Sequence, residues 1–274
     1  MAYLRAVFAV SVLTAVLCGC GQEPVQSVST DRMTALSEQA LVRLISEQTE
    51  QSCSGFSVRV CADGIRLSHL LDRVFRTRAL CRTGMDAVAW ESGQKADGRT
   101  VTVRIRYTAP AEELNRQKQA LRKYASAFAA SVCWMQPQQA ALTAYDRVLR
   151  ESAYHPDGVY ADTAYGALVC GEADCSGYAE AYLLLCEYAQ IPCILITGTA
   201  GGIPHAWNLV YLDGSWYHAD PAWDDADAET DYRFFLGSDG QFAETHRWNH
   251  REYPAAAGAL DGRDIIRSLL DSAD

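Results

Sequence analysis

The sequence has no cluster of lysine and arginine residues, and its acidic residues outnumber the basic ones. Its 274 residues include 24 Lys and Arg against 34 Asp and Glu, which gives a formal net charge of −10. Proteins that bind nucleic acid, or that adhere to anionic lipid, concentrate basic residues to meet the phosphate groups. The composition therefore argues against nucleic acid as a partner and against electrostatic adhesion to an anionic membrane.

Signatures of metal and phosphate sites are also missing. There is no CxxC motif, and His246 and His250, whose spacing would place them on one helix face, lack the adjacent glutamate of a zinc protease motif. The acidic segment 223–227 lacks the spacing of a calcium loop, so we expect its charges to be solvated. No Lys-Ser/Thr follows the glycine-rich segment 198–202, which favours a flexible lead-in to His205 over a phosphate loop. No metal and no cofactor is implied.

No hydrophobic run is long enough to cross a membrane as a helix. A positively charged start is followed by a mostly apolar run of twelve residues, 6–17, whereas a spanning helix needs about 20. The run ends in Leu17-Cys18-Gly19-Cys20, and the whole resembles a bacterial lipoprotein signal. We therefore predict removal of residues 1–19, lipidation of Cys20 and a lipid-anchored location on the extracytoplasmic face of the cell membrane. A plain secretory signal and an uncleaved anchor are the alternatives. Residues 20–30 are typical of a tether.

What the sequence does contain is a cysteine at the start of a helix. Apolar residues at three- and four-residue spacing from Tyr178 to Cys186 predict this helix, with Asp174 as its N-cap. Cys175 then lies in the first turn, where unpaired N–H groups favour the nucleophilic thiolate. The negative charge of Asp174 acts in the opposite direction. Cys175 is a candidate nucleophile, and a buried structural cysteine is the alternative.

A hairpin thirty residues later supplies a histidine and a carboxylate. Asp213-Gly214 between two aromatic and β-branched runs is a strong signal for a two-residue turn. The pairing that such a turn fixes places His205 and Asp220 on one face as diagonal neighbours. Diagonal positions are about 5.5–8 Å apart, which lets a carboxylate reach an imidazole N–H. Together with Cys175, this pair has the chemistry of a nucleophile, a general base and a group that orients the base.

These residues lie in blocks that resemble the bacterial transglutaminase-like superfamily, a papain-related group. The blocks are CSGYA at 175–179, HAWN at 205–208 and DPAWD at 220–224, and the likeness covers about residues 137–254, with a closing segment at 232–239 followed by His246. The resemblance implies an α+β fold in which the helix bearing the cysteine packs on an antiparallel sheet bearing histidine and aspartate. It also implies Cys175 as nucleophile, His205 as base and Asp220 as orienting residue.

Substrate contacts are less clearly marked in the sequence. The resemblance implies a polar group that completes an oxyanion hole beside the cysteine N–H. Tyr165 is one candidate for it, and three glutamines, Gln136, Gln138 and Gln139, are weaker ones. Candidate substrate-binding residues are Tyr165, Trp207 and Tyr178, with core packing as the alternative for Trp207.

The rest of the chain predicts a second region without a catalytic constellation. We expect an N-terminal α+β region at 31–131, the transglutaminase-like domain at 137–254 and a C-terminal tail or helix at 255–274. Within the N-terminal region, helical spacing occurs at 31–51, 65–75 and 110–132, and strand-like alternation at 56–60, 87–90 and 100–107.

Eight cysteines remain once Cys18 and Cys20 are set aside from the ten in the sequence. Two local disulfides, Cys53 with Cys61 and Cys186 with Cys193, are candidates outside the cytoplasm, although spacing does not fix connectivity. Cys170 lies five residues before the candidate nucleophile. It is the thiol best placed to act as an alternative nucleophile or to form a disulfide with Cys175 as a resolving cysteine.

Two functions fit these observations. The first is a lipid-anchored thiol enzyme that acts on amide bonds through an acyl-thioester, by hydrolysis or acyl transfer, with cell-envelope peptide or protein as substrate. The second is a non-catalytic surface lipoprotein that binds peptide or a protein partner with a papain-like domain. The second requires a broken triad, and all three triad positions are intact, so we favour the enzyme.

Overall fold

The computed structural model describes residues 33–62, 64–95, 98–225, 232–258 and 266. The predicted leader, Cys20 and the tether lie outside these residues, as does most of the predicted C-terminal segment. The described residues form two compact units, one of 33–75 with 81–117 and the other of 76–80 with 118 onwards. No helix in this part of the chain has the length and apolarity that a membrane span requires.

The first unit is built on a four-stranded sheet in the order β1-β2-β4-β3. The strands are β1 (Thr34–Ala35), β2 (Gly55–Val60), β3 (Met85–Lys95) and β4 (Gly98–Tyr107). β1 runs parallel to β2 and the other pairs are antiparallel. Three helices, α1 (Glu38–Glu50), α2 (Leu67–Thr77) and α3 (Ala79–Arg82), occur in the same stretch of the chain. Phe56, Val58 and Val60 alternate into the core, as strand periodicity predicts.

The first helix is shorter than the spacing at 31–51 predicts. Ser37 caps it, because its hydroxyl accepts a hydrogen bond from the Ala40 N–H at 3.1 Å. Residues 34–35 before the cap pair with β2 as a strand. Leu36, which helical spacing would bury, is 76% exposed.

The second unit combines helices with a five-stranded antiparallel sheet in the order β10-β9-β8-β7-β11. The sheet strands are β7 (Cys193–Ala200), β8 (Ile203–Leu212), β9 (Ser215–Ala219), β10 (Phe235–Gly237) and β11 (His246–Arg247). A separate parallel pair joins β5 (Ala153–Tyr154) to β6 (Glu172–Ala173). The helices are α4 (Ala111–Val132, entering this unit at Lys118), α5 (Pro137–Glu151), α6 (Cys175–Tyr188), α7 (Pro221–Asp225) and α8 (Asp239–Phe242), with a π-helical turn at Gly166–Cys170.

Helix α6 is the centre of the second unit. Every residue from Gly177 to Cys186 is buried, so this helix is covered on all sides rather than on one stripe. Its backbone is tied to the sheet where Asn208 Nδ2 donates to the Ala179 carbonyl at 3.0 Å. The predicted α+β fold, with the cysteine helix packed on an antiparallel sheet, is confirmed.

The turn between β8 and β9 has the conformation that its sequence predicts. Asp213 and Gly214 both have positive φ, 49° and 82°, as a type I′ turn requires. Leu212 consequently pairs with Ser215, and Asn208 with Ala219. This register fixes which face of the hairpin each functional side chain occupies.

Two sequence predictions on this sheet are wrong. Segment 198–202 is not a loose lead-in, because β7 continues to Ala200 and only Gly201 and Gly202, with φ of 56° and 83°, form the turn into β8. Likewise His246 and His250 do not share a helix face. His246 belongs to β11 and pairs with Ala200.

Candidate active site

The candidate nucleophile lies at the first position of α6, where the sequence places it. Asp174 caps the helix: its carboxylate Oδ1 accepts hydrogen bonds from the N–H groups of Ser176 at 2.7 Å and Gly177 at 3.1 Å. Burial raises the pKa of Asp174, although these two N–H groups act in the opposite direction. The segment before the helix is anchored as well, because the Asp174 N–H donates to the Ala161 carbonyl at 2.9 Å. Cys175 is thus held in a fixed position at a partly exposed site.

His205 on β8 and Asp220, directly after β9, form a buried pair. His205 Nε2 lies 2.6 Å from Asp220 Oδ2, and the two residues are 6% and 0% exposed. The diagonal contact expected from the turn register is therefore present. Asp220 is fixed from the other side by its own N–H, which donates to the Phe234 carbonyl at 2.9 Å.

Cys175 interacts with the same imidazole and contributes to its pKa. Burial alone would lower the pKa of His205, but the charge and hydrogen bond of Asp220, together with the hydrogen bond and charge of Cys175, raise it to about 10. Because Nε2 is engaged by Asp220, Nδ1 is the ring nitrogen left for the thiol. His205 thus interacts with both Asp220 and Cys175, and their role as a thiol triad remains a prediction.

A second histidine, which the sequence does not connect with this pair, also contacts Asp220. His246 Nε2 lies 2.9 Å from the same oxygen, Oδ2. The other oxygen, Oδ1, accepts the Trp223 N–H at 3.3 Å, so Asp220 also caps α7. Burial would raise the pKa of Asp220, but His205 and His246 hold it at about 2.

Among the described residues, His205, Asp220 and His246 form a group that could hold a metal ion. One ligand atom each from His205, Asp220 and His246 lie within 4.8 Å of one another. The contacts to the shared oxygen, 2.6 and 2.9 Å, are hydrogen-bond distances.

Trp207 packs behind the histidine. Its ring is stacked on His205, with 6.0 Å between centroids and 23° between planes. Its Nε1–H donates to His218 Nδ1 at 2.9 Å, and His218 Nε2 in turn lies 2.9 Å from Asp239 Oδ1. Burial lowers the pKa of His218 to about 4, against the opposing effect of Asp239. His218 is therefore neutral: its Nδ1 accepts a hydrogen bond from Trp207, and its Nε2–H donates one to Asp239.

The three aromatic residues predicted to bind substrate are all buried. Trp207 and Tyr178 have no exposed surface, and Tyr165, 7% exposed, meets Tyr160 edge to face at 5.4 Å. The Tyr178 hydroxyl donates to Asp225 Oδ2. This burial favours packing roles for Trp207 and Tyr178, and substrate contact by any of the three remains a prediction.

A tyrosine that sequence reasoning missed lies beside the triad. Tyr154 on β5 is 51% exposed and its ring is stacked on that of Tyr178, with centroids 6.5 Å apart. Burial first, and then the negative charges of Cys175, Asp174 and Asp220, raise the pKa of Tyr154. Tyr154 reaches this place because it pairs with Ala173, two residues before the nucleophile.

The glutamines predicted for the oxyanion hole have other partners. Gln138 Nε2 donates to Asp213 Oδ2 in the hairpin turn, at the opposite end of β8 from His205. Gln136 and Gln139 cap the start of α5 reciprocally. Their prediction as oxyanion donors does not agree with these contacts.

Two further sequence expectations need correction. In the acidic segment, Asp224 is not solvated: it is buried and accepts the Tyr145 hydroxyl at 2.6 Å. Residues 226–227 of this segment lie outside the described residues. Cys61 and Cys186 each carry a free thiol, so neither candidate local pair is joined by a disulfide. Cys170 is exposed at the end of the π-helical turn.

Comparison with known proteins gives one family and several distant relatives. Residues 122–221 match the model of the transglutaminase-like superfamily. The kyphoscoliosis peptidases of Mus musculus and Homo sapiens are 31% identical over 64 residues, which is 19% of this chain and 10% of each relative. The chain thus spans about a tenth of the length of these relatives.

Two solved structures are similar to part of the chain at low identity. The periplasmic domain of TgpA from Pseudomonas aeruginosa, bound to ethylmercury, is 18% identical with a TM-score of 0.33, over 50% of this chain and 66% of that chain. A structure described as a TGase is 11% identical with a TM-score of 0.34, over 70% of this chain and 59% of that chain.

Proposed function

Because the chain contains a transglutaminase-like domain, we propose that it is a thiol enzyme that acts on amide bonds. Cys175 is the nucleophile, His205 the acid and base, and Asp220 the group that orients the ring. The observation that carries this proposal is the contact of one imidazole with both partners. Asp220 lies 2.6 Å from Nε2, and the hydrogen bond and charge of Cys175 help to raise the pKa of the same ring. Hydrogen-bonded contact of nucleophile, base and orienting group is the signature of nucleophilic catalysis.

The first half-reaction forms an acyl-thioester. The Cys175 sulfur bonds to the carbonyl carbon of the amide, and the carbonyl oxygen takes up the negative charge. The C–N bond then breaks, and His205 gives its proton to the leaving amine. With its pKa raised to about 10, the His205 ring is doubly protonated at neutral pH and has this proton to give.

The second half-reaction regenerates the thiol. His205, now neutral, takes a proton from water or from an acceptor amine, which attacks the thioester carbon as the C–S bond breaks. Water gives hydrolysis, and an amine gives acyl transfer. Asp220 remains a carboxylate throughout and stabilises the imidazolium, in keeping with its pKa of about 2.

The side chain best placed to meet substrate is Tyr154. It is half exposed, in contrast to Tyr165, Trp207 and Tyr178, and the charges of Cys175, Asp174 and Asp220 add to burial in raising its pKa. A phenol beside the nucleophile can donate a hydrogen bond to the oxygen that becomes negative in the first step. We assign Tyr154 this role beside the N–H of Cys175.

The proposed setting is the outer face of the cell membrane. The leader at residues 1–19 and Cys20 support lipid anchoring there, and this location favours peptide or protein of the cell envelope as substrate. Release of the native protein from membranes by detergent but not by salt, together with an acylated Cys20 in its mass spectrum, is the expected result. A soluble protein with an unmodified Cys20 would contradict it.

The catalytic proposal is tested by labelling with iodoacetamide near neutral pH. Cys175 is expected to react at least tenfold faster than the exposed Cys61 and Cys133, which serve as controls within the same molecule. His205→Ala should remove this advantage, while His250→Ala, outside the triad, should retain it. Equal rates for the three thiols in the native protein would refute the proposal. A Cys175→Ser variant with full biological function would favour the peptide-binding alternative.

A further inference from the structure

His246 occupies a position that the proposed chemistry does not explain by itself. It is 0% exposed, lies on the short edge strand β11, and directs Nε2 to Asp220 Oδ2 at 2.9 Å. Its ring contacts those of Trp223 and Phe242, each at 4.8 Å between centroids, and Trp207 at 5.0 Å. Three aromatic rings thus hold the histidine in place and keep water away from its bond to the carboxylate.

The hydrogen atoms in this cluster follow from its partners. An ionised carboxylate has acceptors only, so both His205 and His246 must present an N–H at Nε2. The remaining nitrogen of His246, Nδ1, lies 2.8 Å from the Thr245 hydroxyl. We assign the hydroxyl as donor and Nδ1 as acceptor, which gives the Nε2–H tautomer.

One carboxylate oxygen consequently receives two imidazole N–H groups from different strands. The other oxygen, Oδ1, accepts a third hydrogen bond, from the Trp223 N–H. Contacts at both oxygens therefore fix the plane of the carboxylate. The angle at which Asp220 holds His205 depends on this plane. A hydrogen bond to a buried charge contributes more than one to a neutral group, so His246 is a strong constraint.

We propose that His246 is a positioning residue, which fixes the Asp220 carboxylate and through it the orientation of His205 toward Cys175. The proposal rests on the proposed function in that His205 is the base. It does not require a metal, although the same three residues could hold one. It predicts that the N–H at position 246 is what matters, and that a side chain of similar reach can supply it.

The first test observes the rings directly by nitrogen-15 NMR of labelled histidines. We expect a hydrogen-bonded N–H signal at Nε2 of both rings, from a doubly protonated His205 and from His246 in its Nε2–H form. In His246→Leu the His205 N–H signal should be displaced, whereas in His246→Gln, whose amide nitrogen replaces Nε2, it should stay close to its native position. Thr245→Val removes the partner of Nδ1 without altering the ring and should displace the His205 signal by a smaller amount. This variant replaces His246→Leu in the test if the leucine variant does not fold.

The second test is the alkylation rate of Cys175 in the same variants. His246→Leu should slow it about tenfold to hundredfold, the effect of losing one hydrogen bond to a charged group. His246→Gln should recover the native rate to within about threefold, and His250→Gln should not change it. If His246 had only a packing role, the glutamine and leucine variants would show the same alkylation rate of Cys175 at equal thermal stability.

Three results would overturn the proposal. These are the absence of a hydrogen on Nε2 of His246, a His205 signal unchanged by both His246→Leu and Thr245→Val, and stoichiometric zinc binding that removes both N–H signals and is lost in His246→Gln. Failure of the proposed function is distinguishable from these. The native Cys175 would then react no faster than other thiols, while the NMR signals still respond to His246→Leu.

Discussion

Replacing Tyr145 with phenylalanine removes one hydroxyl from the core of the second unit and tests how α7 is held. That hydroxyl donates to Asp224 Oδ2 at 2.6 Å, and both residues are almost fully buried. Burial and the negative charge of Asp224 raise the pKa of Tyr145, so the phenol keeps its proton. The ring contacts with Tyr182 and Phe235, at 5.6 and 4.7 Å, remain in the variant.

The expected loss is about 1.5–3 kcal/mol in the free energy of unfolding, because a hydrogen bond to a buried carboxylate is lost. For a unit of this size, about 2 kcal/mol corresponds to a fall of about 4–8 °C in Tm. Differential scanning calorimetry and urea unfolding of the variant measure it. The phenylalanine ring keeps its place, so the change in packing is limited to the volume of one hydroxyl.

Tyr182→Phe is the matched control. Tyr182 is equally buried and meets Tyr145 edge to face, yet among the described residues its hydroxyl has only the weakly hydrogen-bonding Cys186 thiol beside it. Deleting so weakly bonded a hydroxyl should leave stability unchanged or raise it slightly. Equal losses in the two variants would refute the reasoning, because the cost would then come from the ring environment and not from the bond to Asp224.

Two further predictions concern pH and packing. The folded pKa of His205, about 10, lies above its ordinary value of 6.5, so its contribution to stability is complete below pH 6.5 and is lost as the pH rises through 10. The folded pKa of Asp220, about 2, lies below its ordinary value of 3.8. Its contribution to stability is therefore present above pH 3.8 and is lost as the pH falls through 2. Thermal unfolding across pH 6–10.5 should show the first loss, and a flat profile for His205→Gln; a native profile as flat as the variant's would contradict it. In Gly177→Ala the new Cβ would lie 2.2 Å from the Ala161 carbonyl oxygen, so we expect a loss of about 1–3 kcal/mol, while Gly240→Ala, with no atom nearer than 3.9 Å, should be near neutral. Similar unfolding midpoints for the two glycine variants would contradict this.

The parts of the site that local chemistry determines could be predicted from the sequence. Asp174 followed by a helical pattern indicates a cap, and Asp213-Gly214 indicates a two-residue turn, which through strand alternation sets His205 against Asp220. Each of these inferences needs only neighbours along one helix or across one hairpin. They are confirmed where the structure gives the cap hydrogen bonds and the register.

The parts that depend on distant chain segments could not be predicted. His246 pairs with Ala200 through a two-residue strand, too short to produce any periodicity, and its four-residue spacing from His250 suggested a helix instead. Tyr154 reaches the triad through an equally short parallel pair with Ala173. Asp224 belongs to a run of acidic residues that is typical of a solvated loop, and only the fold places a buried tyrosine against it.

The Asp220 carboxylate contacts His205 with one oxygen and caps α7 with the other. An aspartate at this position is therefore weak evidence for catalysis. Oδ1, the oxygen that does not face His205, accepts a hydrogen bond from the Trp223 N–H. The side chain therefore caps the N-terminus of α7 and also contacts the imidazole. A relative without the proposed activity would still be stabilised by an aspartate here, because the helix needs its cap. Residue 220 therefore reports on architecture, and the residue at 175 is the one to inspect when active and inactive members are sorted by sequence.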